Sequence, residues 1–229
     1  MSLIRSKDRK VANSVTPNGK QASIANAFGL PSGVDYSCPN ATAYCSKICY
    51  AGKLERLFKG VRTTLLANWE QVKDADYFEL VSLLGDMLDD FRKDCQKRNA
   101  DMLFRIHWDG DFFKQDYTLA WRTVIELNPD IRFWAYTRVP SAYELLKGIP
   151  NLALYFSADP ANLDSIPQDA RVAYVADTFA QGKAEFAKAT RCPENNKAIA
   201  LISEKGSACK RCGLCINARN DVLFSRTKR

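Results

Sequence analysis

The chain has 229 residues, 46% of them hydrophobic, with a formal net charge of +7 and eight cysteines. That size supports one large domain or two small ones with a real core, so disulfide staples are not required. No apolar stretch approaches a membrane span, and Met1 to Lys10 lacks the apolar run of a secretory signal, so reduced thiols and a cytoplasmic setting are expected.

Residues 1–23 are polar, with Thr16, Pro17, Asn18 and Gly19 as a turn signal, and read as an N-terminal arm or short edge hairpin. Part of the positive excess lies at the chain ends, in Arg5, Lys7, Arg9 and Lys10 and in Arg219, Arg226, Lys228 and Arg229. These are either solvated termini or a contact for nucleic acid. Residues 24–30 predict a strand, ended by Pro31, Ser32 and Gly33, and a loop with Cys38, Cys45 and Cys49 follows.

Two helices come next. Phe58 to Val72 puts Val61, Leu65, Leu66, Trp69 and Val72 on one side, and Tyr77 to Lys97 carries a stripe of Leu80, Leu84, Met87, Leu88, Phe91 and Cys95. Cys95 is in phase with that stripe and reads as a small buried hydrophobe.

From residue 102 strands alternate with helices. Strands are predicted at Met102 to His107, Ile131 to Thr137, Leu152 to Ser157 and Arg171 to Ala176. Helices are predicted at Tyr117 to Leu127 and from an N-cap at Ser141 through Leu146. Short apolar runs joined by helices mean parallel strands with helical crossovers. Each strand ends in polar residues, namely Asp109 and Asp111, Thr137 and Arg138, Ser157 and Asp159, and Asp177, at the edge where such sheets bind ligands. His107, the single histidine, ends the first of these strands and reads as a proton donor, a cluster ligand or a structural residue. Arg105 is expected to face the same side of that strand as His107.

Cys192, Cys209, Cys212 and Cys215 interrupt the alternation, and Lys197 to Ser203 reads as a strand joining the two parts of this set. Four thiolates complete either a tetrahedral zinc site or a four-iron cluster. Three cysteines at two-residue spacing with a remote fourth favour the cluster, because a zinc ribbon presents two paired knuckles. Lys210 and Arg211 inside the loop would offset thiolate charge. The N-terminal set of Cys38, Cys45 and Cys49 leaves either one open iron or a fourth ligand supplied from elsewhere, such as His107.

The three-cysteine loop after a first strand, with the adjoining Tyr50 and the β/α units that follow, resembles the radical S-adenosylmethionine superfamily. Cys45 to Gly52 resembles the first part of that superfamily's three-cysteine loop. The third cysteine would fall at Gly52, so Cys38 would have to replace it. Arg105 to Phe113 and Phe133 to Arg138 also resemble bacteriophage proteins with similar cysteine patterns, which implies a phage or prophage origin and a host-cell cytoplasmic location.

The resemblance implies an α/β fold with a partial (β/α) barrel of parallel strands and a cysteine-rich iron–sulfur segment at the C-terminal end. The division is an arm at 1–23, a β/α core at 24–189 and a cluster segment with a basic tail at 190–229. Implied cofactors are one or two 4Fe-4S clusters and S-adenosylmethionine. The implied catalytic residues are His107, Asp109 and Asp111, and the implied cofactor contacts are Tyr50, Asp109, Arg138, Ser157 and Asp159. The expected metal ligands are Cys38, Cys45, Cys49, Cys192, Cys209, Cys212 and Cys215. A reductant such as ferredoxin or flavodoxin is the expected partner, with no membrane. The competing readings are a non-catalytic iron–sulfur protein for electron relay or sensing, and a zinc protein that binds nucleic acid.

Overall fold

Parallel strands in nearly sequential order organise the chain. The computed structural model describes residues 2–16 and 18–226. Pro17 of the turn signal and Lys228 and Arg229 of the basic tail lie outside the described residues. The arm forms the expected hairpin, β1 (Asn13–Val15) against β2 (Gln21–Ser23). Next come α1 (Ala43–Ile48), α2 (Tyr50–Leu57), α3 (Lys59–Val72) and α4 (Tyr77–Arg98). The β/α units are β3 (Leu103–Ile106), α5 (Gln115–Glu126), β4 (Arg132–Thr137), α6 (Pro140–Leu146), β5 (Leu152–Ala158), β6 (Val172–Ala176) and α7 (Phe179–Glu185). The chain closes with β7 (Thr190–Arg191), β8 (Ile202–Ser203), β9 (Gly206–Ser207), α8 (Ala208–Cys212) and β10 (Val222–Ser225).

Six strands form one parallel sheet in the order β3-β4-β5-β6-β10-β7. The sheet is open rather than a closed barrel. Residues 24–30 run beside β3 and make a single parallel bridge, Ala27 to Arg105, with Phe28 N donating to Arg105 O at 3.0 Å and Arg105 N donating to Asn26 O at 2.9 Å.

The sequential order puts the crossover helices on one face, because right-handed connections in one direction all pass the same side. Side chains alternate accordingly. Phe104, Ile106, Phe133, Ala135, Leu154, Phe156, Val172 and Tyr174 pack under the helices. Leu103, Trp134, Ala153, Tyr155, Ala173 and Val222 face the other way and meet Val11, Cys192, Leu214, Cys215 and Ile216. The cysteine-rich segment and the arm therefore cover the face that no crossover helix covers. The α4 stripe is fully buried as expected, Cys95 included, each large apolar side chain contributing roughly 1.5–3 kcal/mol.

Several expectations change. The first cysteine loop contains two short helices, because Thr42 and Cys49 both act as N-caps. Helix α6 begins at Pro140 with Val139 as its N-cap, since proline at the first helical position needs no amide partner; Ser141 lies inside the helix. Only Ile202 and Ser203 of the expected strand at 197–203 are extended, paired with β9. The sheet continues past residue 190, with β10 between β6 and β7. No helix among the described residues is long and apolar enough to cross a membrane.

Candidate metal centres at the strand ends and on the open face

The N-terminal cysteine loop lies across the carboxyl ends of the strands, and specific polar ties hold it there. At the β3 end, Ser37 is fully buried with Oγ donating to the Pro31 carbonyl at 2.7 Å, and it packs on Gly110. Thr42 caps α1 by accepting from Cys45 N at 2.9 Å, while its hydroxyl donates to Asp159 Oδ2 at 2.6 Å beyond β5. Tyr44 donates to Asp177 beyond β6 at 3.1 Å. Cys49 then caps α2, its sulfur accepting from Gly52 N at 3.3 Å.

Beneath the loop, the strand-end residues form one network. Asp111 accepts from Phe112 N at 2.7 Å and Thr137 Oγ1 at 2.6 Å through Oδ1, and from Arg138 N at 2.8 Å through Oδ2. Arg138 Nη1 donates to Asp159 Oδ2 at 2.7 Å, an ion pair in which Asp159 is completely buried. Burial pushes the Asp111 carboxyl up to about 6 against these three donors. The structure thus brings Asp111, Arg138 and Asp159 together. Ser157 lies on the neighbouring stretch of β5, its carbonyl accepting from Asn162 Nδ2 at 3.2 Å.

Asp109 is different. Its Oδ1 accepts from Gly110 N at 2.9 Å, and Oδ2 is buried beside the Glu55 carboxyl with no described N–H or hydroxyl donor. Burial, and then the neighbouring Glu55, raise this carboxyl to about 9. Glu55 itself accepts from Ser32 N at 3.0 Å.

The thiols divide into two neighbourhoods. Cys45 lies within electrostatic reach of Arg138, Cys49 and Asp159, whereas Cys38 stands against Asp111 and Asp109. On the open face, Cys209 is within reach of Cys215 and Cys192, and Cys215 of Cys192 and Cys212. Burial raises the thiols of Cys192, Cys209 and Cys215, the last to about 11. Lys10 reaches this set through its carbonyl, which accepts from Cys209 N at 3.0 Å, and Tyr155 fastens it by donating to the Asn220 carbonyl at 3.0 Å. All eight cysteines are free thiols.

Among the described residues, no three His, Cys, Asp or Glu side chains are grouped so as to grip a single ion. A cluster asks for a wider arrangement, because each thiolate binds its own iron rather than sharing one. Of the seven gathered thiols, Cys192 and Cys215 are buried and the other five are partly exposed, and none is bridged to another.

His107 stands apart from the cysteines' polar surroundings. It adopts φ +57°, which breaks the strand alternation and turns its ring to the helix side, opposite to Arg105. There it lies among Phe28, Phe112, Tyr117 and Trp121, with Nε2 2.8 Å from the Tyr117 hydroxyl. The expectation that Arg105 and His107 share a side is corrected for this reason.

The basic ends are engaged in part. Arg5 pairs with Asp94 at 2.7 Å, Lys10 with Glu194 at 3.6 Å and Arg226 with Asp177 at 3.3 Å, while Lys7, Arg9 and Arg219 are exposed. Sequence reasoning missed Thr42, Glu55 and Lys10. Thr42 was detectable as a cap directly before an apolar helix start, whereas nothing local marks Glu55 or Lys10.

Fold and site together define a class: an open, singly wound parallel α/β protein with one cysteine group across its strand ends and another on its helix-free face. The chain belongs to the gene product 88 family, whose profile matches residues 1–218. It is 57% identical over 236 residues to the gene 88 protein of Mycobacterium phage L5, covering 99% of each chain. It is 55% identical over 238 residues to the gene 88 protein of Mycobacterium phage D29, covering 100% of this chain and 99% of that one. No solved structure matches the chain.

Proposed function

We propose that this phage protein is an iron–sulfur enzyme built on the radical S-adenosylmethionine plan, acting in the host cytoplasm. Cys38, Cys45 and Cys49 would hold a 4Fe-4S cluster with one open iron at the strand ends. Cys192, Cys209, Cys212 and Cys215 would hold an auxiliary cluster on the opposite face of the sheet from the crossover helices. The observation that carries the reading is the clamp of the cysteine loop over the carboxyl edge of a parallel sheet, from Gly110 through Asp159 to Asp177.

Once loaded and reduced, such a cluster would supply one electron to break a sulfonium C–S bond of S-adenosylmethionine. The chain's own residues bind and orient. Asp109 beside Glu55, in a buried site, would suit an ammonium group, whose charge would favour the ionised carboxyl over the protonated one that burial imposes. The Arg138–Asp159 pair braces the cysteine loop through Thr42. Asp111 fixes the ends of β3 and β4 relative to each other, and its three internal donors leave it a positioning role.

Anaerobic reconstitution with iron and sulfide, followed by dithionite reduction and S-adenosylmethionine, tests this. Bound iron and sulfide, an electron paramagnetic resonance signal and 5′-deoxyadenosine are expected. A colourless protein with stoichiometric zinc would reject it.

The electron-relay reading is favoured by one observation. Position 52 is glycine, and a Cβ there would come 2.9 Å from Ser32 Oγ, so the chain cannot carry the usual third cysteine without moving Ser32. Iron uptake without 5′-deoxyadenosine would decide for that reading.

A further inference from the structure

Arg105 projects from β3 onto the helix-free face and is 6% exposed. Its contacts run in two directions. Nη2 donates to the Tyr50 hydroxyl at 3.1 Å, and Tyr50 directly follows Cys49. The Tyr50 hydroxyl in turn donates to the Trp108 carbonyl at 2.9 Å. On the other side, the guanidinium lies 5.0 Å from the Trp134 ring centroid and 5.8 Å from that of Tyr136. Tyr136 packs against the cluster holding Cys192 and Cys215 and lies within electrostatic reach of the Cys215 and Cys209 thiols. Cys49, Tyr50, Arg105, Tyr136 and Cys215 thus form one unbroken line of neighbours between the two thiol groups.

The arm completes this junction. Asp8 forms an ion pair with Arg105 Nη1, and Lys10 Nζ lies 5.3 Å from the Tyr50 ring centroid. Arg105 Nε remains buried without a partner. A desolvated guanidinium persists where anions compensate it, and one carboxylate answers only part of its surface.

We infer that Arg105 is a positioning residue shared by both cysteine groups. Through its hydrogen bond to Tyr50 it seats the N-terminal loop, and through its charge it raises the reduction potential of the centres on both sides. This rests on the iron–sulfur reading of the cysteines. A centre gains negative charge when reduced, so a buried cation nearby favours the reduced form.

The test is a potentiometric titration of the anaerobically reconstituted full chain, followed by electron paramagnetic resonance. A Cys212→Ala chain assigns the signals to the two centres. Arg105→Gln is expected to shift both midpoints to more negative values, and Arg105→Lys to restore most of the shift at the C-terminal centre. Tyr50→Phe removes one hydroxyl from a half-exposed residue, and is expected to move the N-terminal midpoint alone. It carries the test if Arg105→Gln does not fold. Lys93→Gln, on the exposed face of α4, is the unaffected control. Iron-loaded protein whose midpoints are unchanged in Arg105→Gln and Tyr50→Phe overturns this inference while leaving the clusters in place. Wild-type protein that takes up no iron instead defeats the functional reading on which it rests.

Discussion

Thr42 and Asp159 stand 117 positions apart and meet at 2.6 Å, hydroxyl to carboxylate. The same carboxylate oxygen accepts from Arg138 Nη1 at 2.7 Å, so one buried atom fastens the cysteine loop to the ends of β4 and β5. The two partners should differ in cost. Thr42→Ala removes a cap and one hydrogen bond, for a loss of roughly 1–2 kcal/mol. Asp159→Ala strands a buried guanidinium and should cost roughly 3–5 kcal/mol. Urea unfolding at pH 7 measures both. Equal, small losses would show that Arg138 finds water instead.

Acid should destabilise the chain through His107. Burial, and then the Arg105 charge, lower its pKa to about 3 from the ordinary 6.5. A base with a depressed folded pKa contributes stability that is complete above about 6.5 and is lost as pH falls toward about 3, at up to about 1.4 kcal/mol per pH unit. Asp111, raised to about 6, acts in the opposite sense: its contribution is complete below the ordinary 3.8 and is lost as pH rises through about 6. The comparison with His107→Asn isolates the imidazole, since asparagine tolerates the left-handed backbone at this position. Wild type should lose more stability than the variant between pH 6.5 and 4. Parallel curves would mean that the imidazole is not held neutral.

Two glycines should respond with opposite signs. Gly110 has φ +88°, and a Cβ there would collide with Ser37 Oγ and come 3.0 Å from the Leu30 carbonyl. Gly110→Ala combines left-handed strain of roughly 1–2 kcal/mol with displacement of a fully buried serine. It should loosen the cysteine loop and lower the melting temperature. Gly85 sits within α4 with nothing within 4 Å of a Cβ, so Gly85→Ala should stabilise by roughly 0.5–1 kcal/mol. Thermal melts monitored by circular dichroism distinguish the two, and a stabilising Gly110→Ala would mean that Ser37 moves freely.

The β/α alternation was readable because Phe104, Phe133 and Phe156 sit in short apolar runs bounded by turn residues. The α4 stripe was readable from its helical period. Three things were not. Val222 to Ser225 is too short to outweigh its basic flanks, and it becomes a strand only because β6 and β7 offer edges on either side. The side taken by His107 depends on one backbone angle that strand periodicity does not encode. The joining of Thr42 to Asp159 and of Arg105 to Tyr50 links residues 117 and 55 positions apart, and such contacts follow from topology rather than from local pattern.

The eight cysteines should fall into two classes under substitution. Cys95 is buried in the α4 stripe at 1% exposure, its sulfur 3.6 Å from the Asp101 carbonyl. Its neighbours Phe91 and Leu88 are apolar, and no other cysteine shares its helix. Cys95→Ala should therefore cost about 1 kcal/mol of packing and leave iron content unchanged. Cys212 and Cys215 lie in the gathered set on the open face, where each thiolate would answer for one iron. Alanine at either position should release iron and lower the melting temperature of the reconstituted protein, because metal binding free energy becomes folding free energy. The unloaded Cys212→Ala chain should melt within a few degrees of the unloaded wild type, since Cys212 is only partly buried. Iron and sulfide assays beside calorimetry, with and without reconstitution, read both effects. Retention of full iron by Cys212→Ala, or its loss from Cys95→Ala, would contradict the division of the thiols.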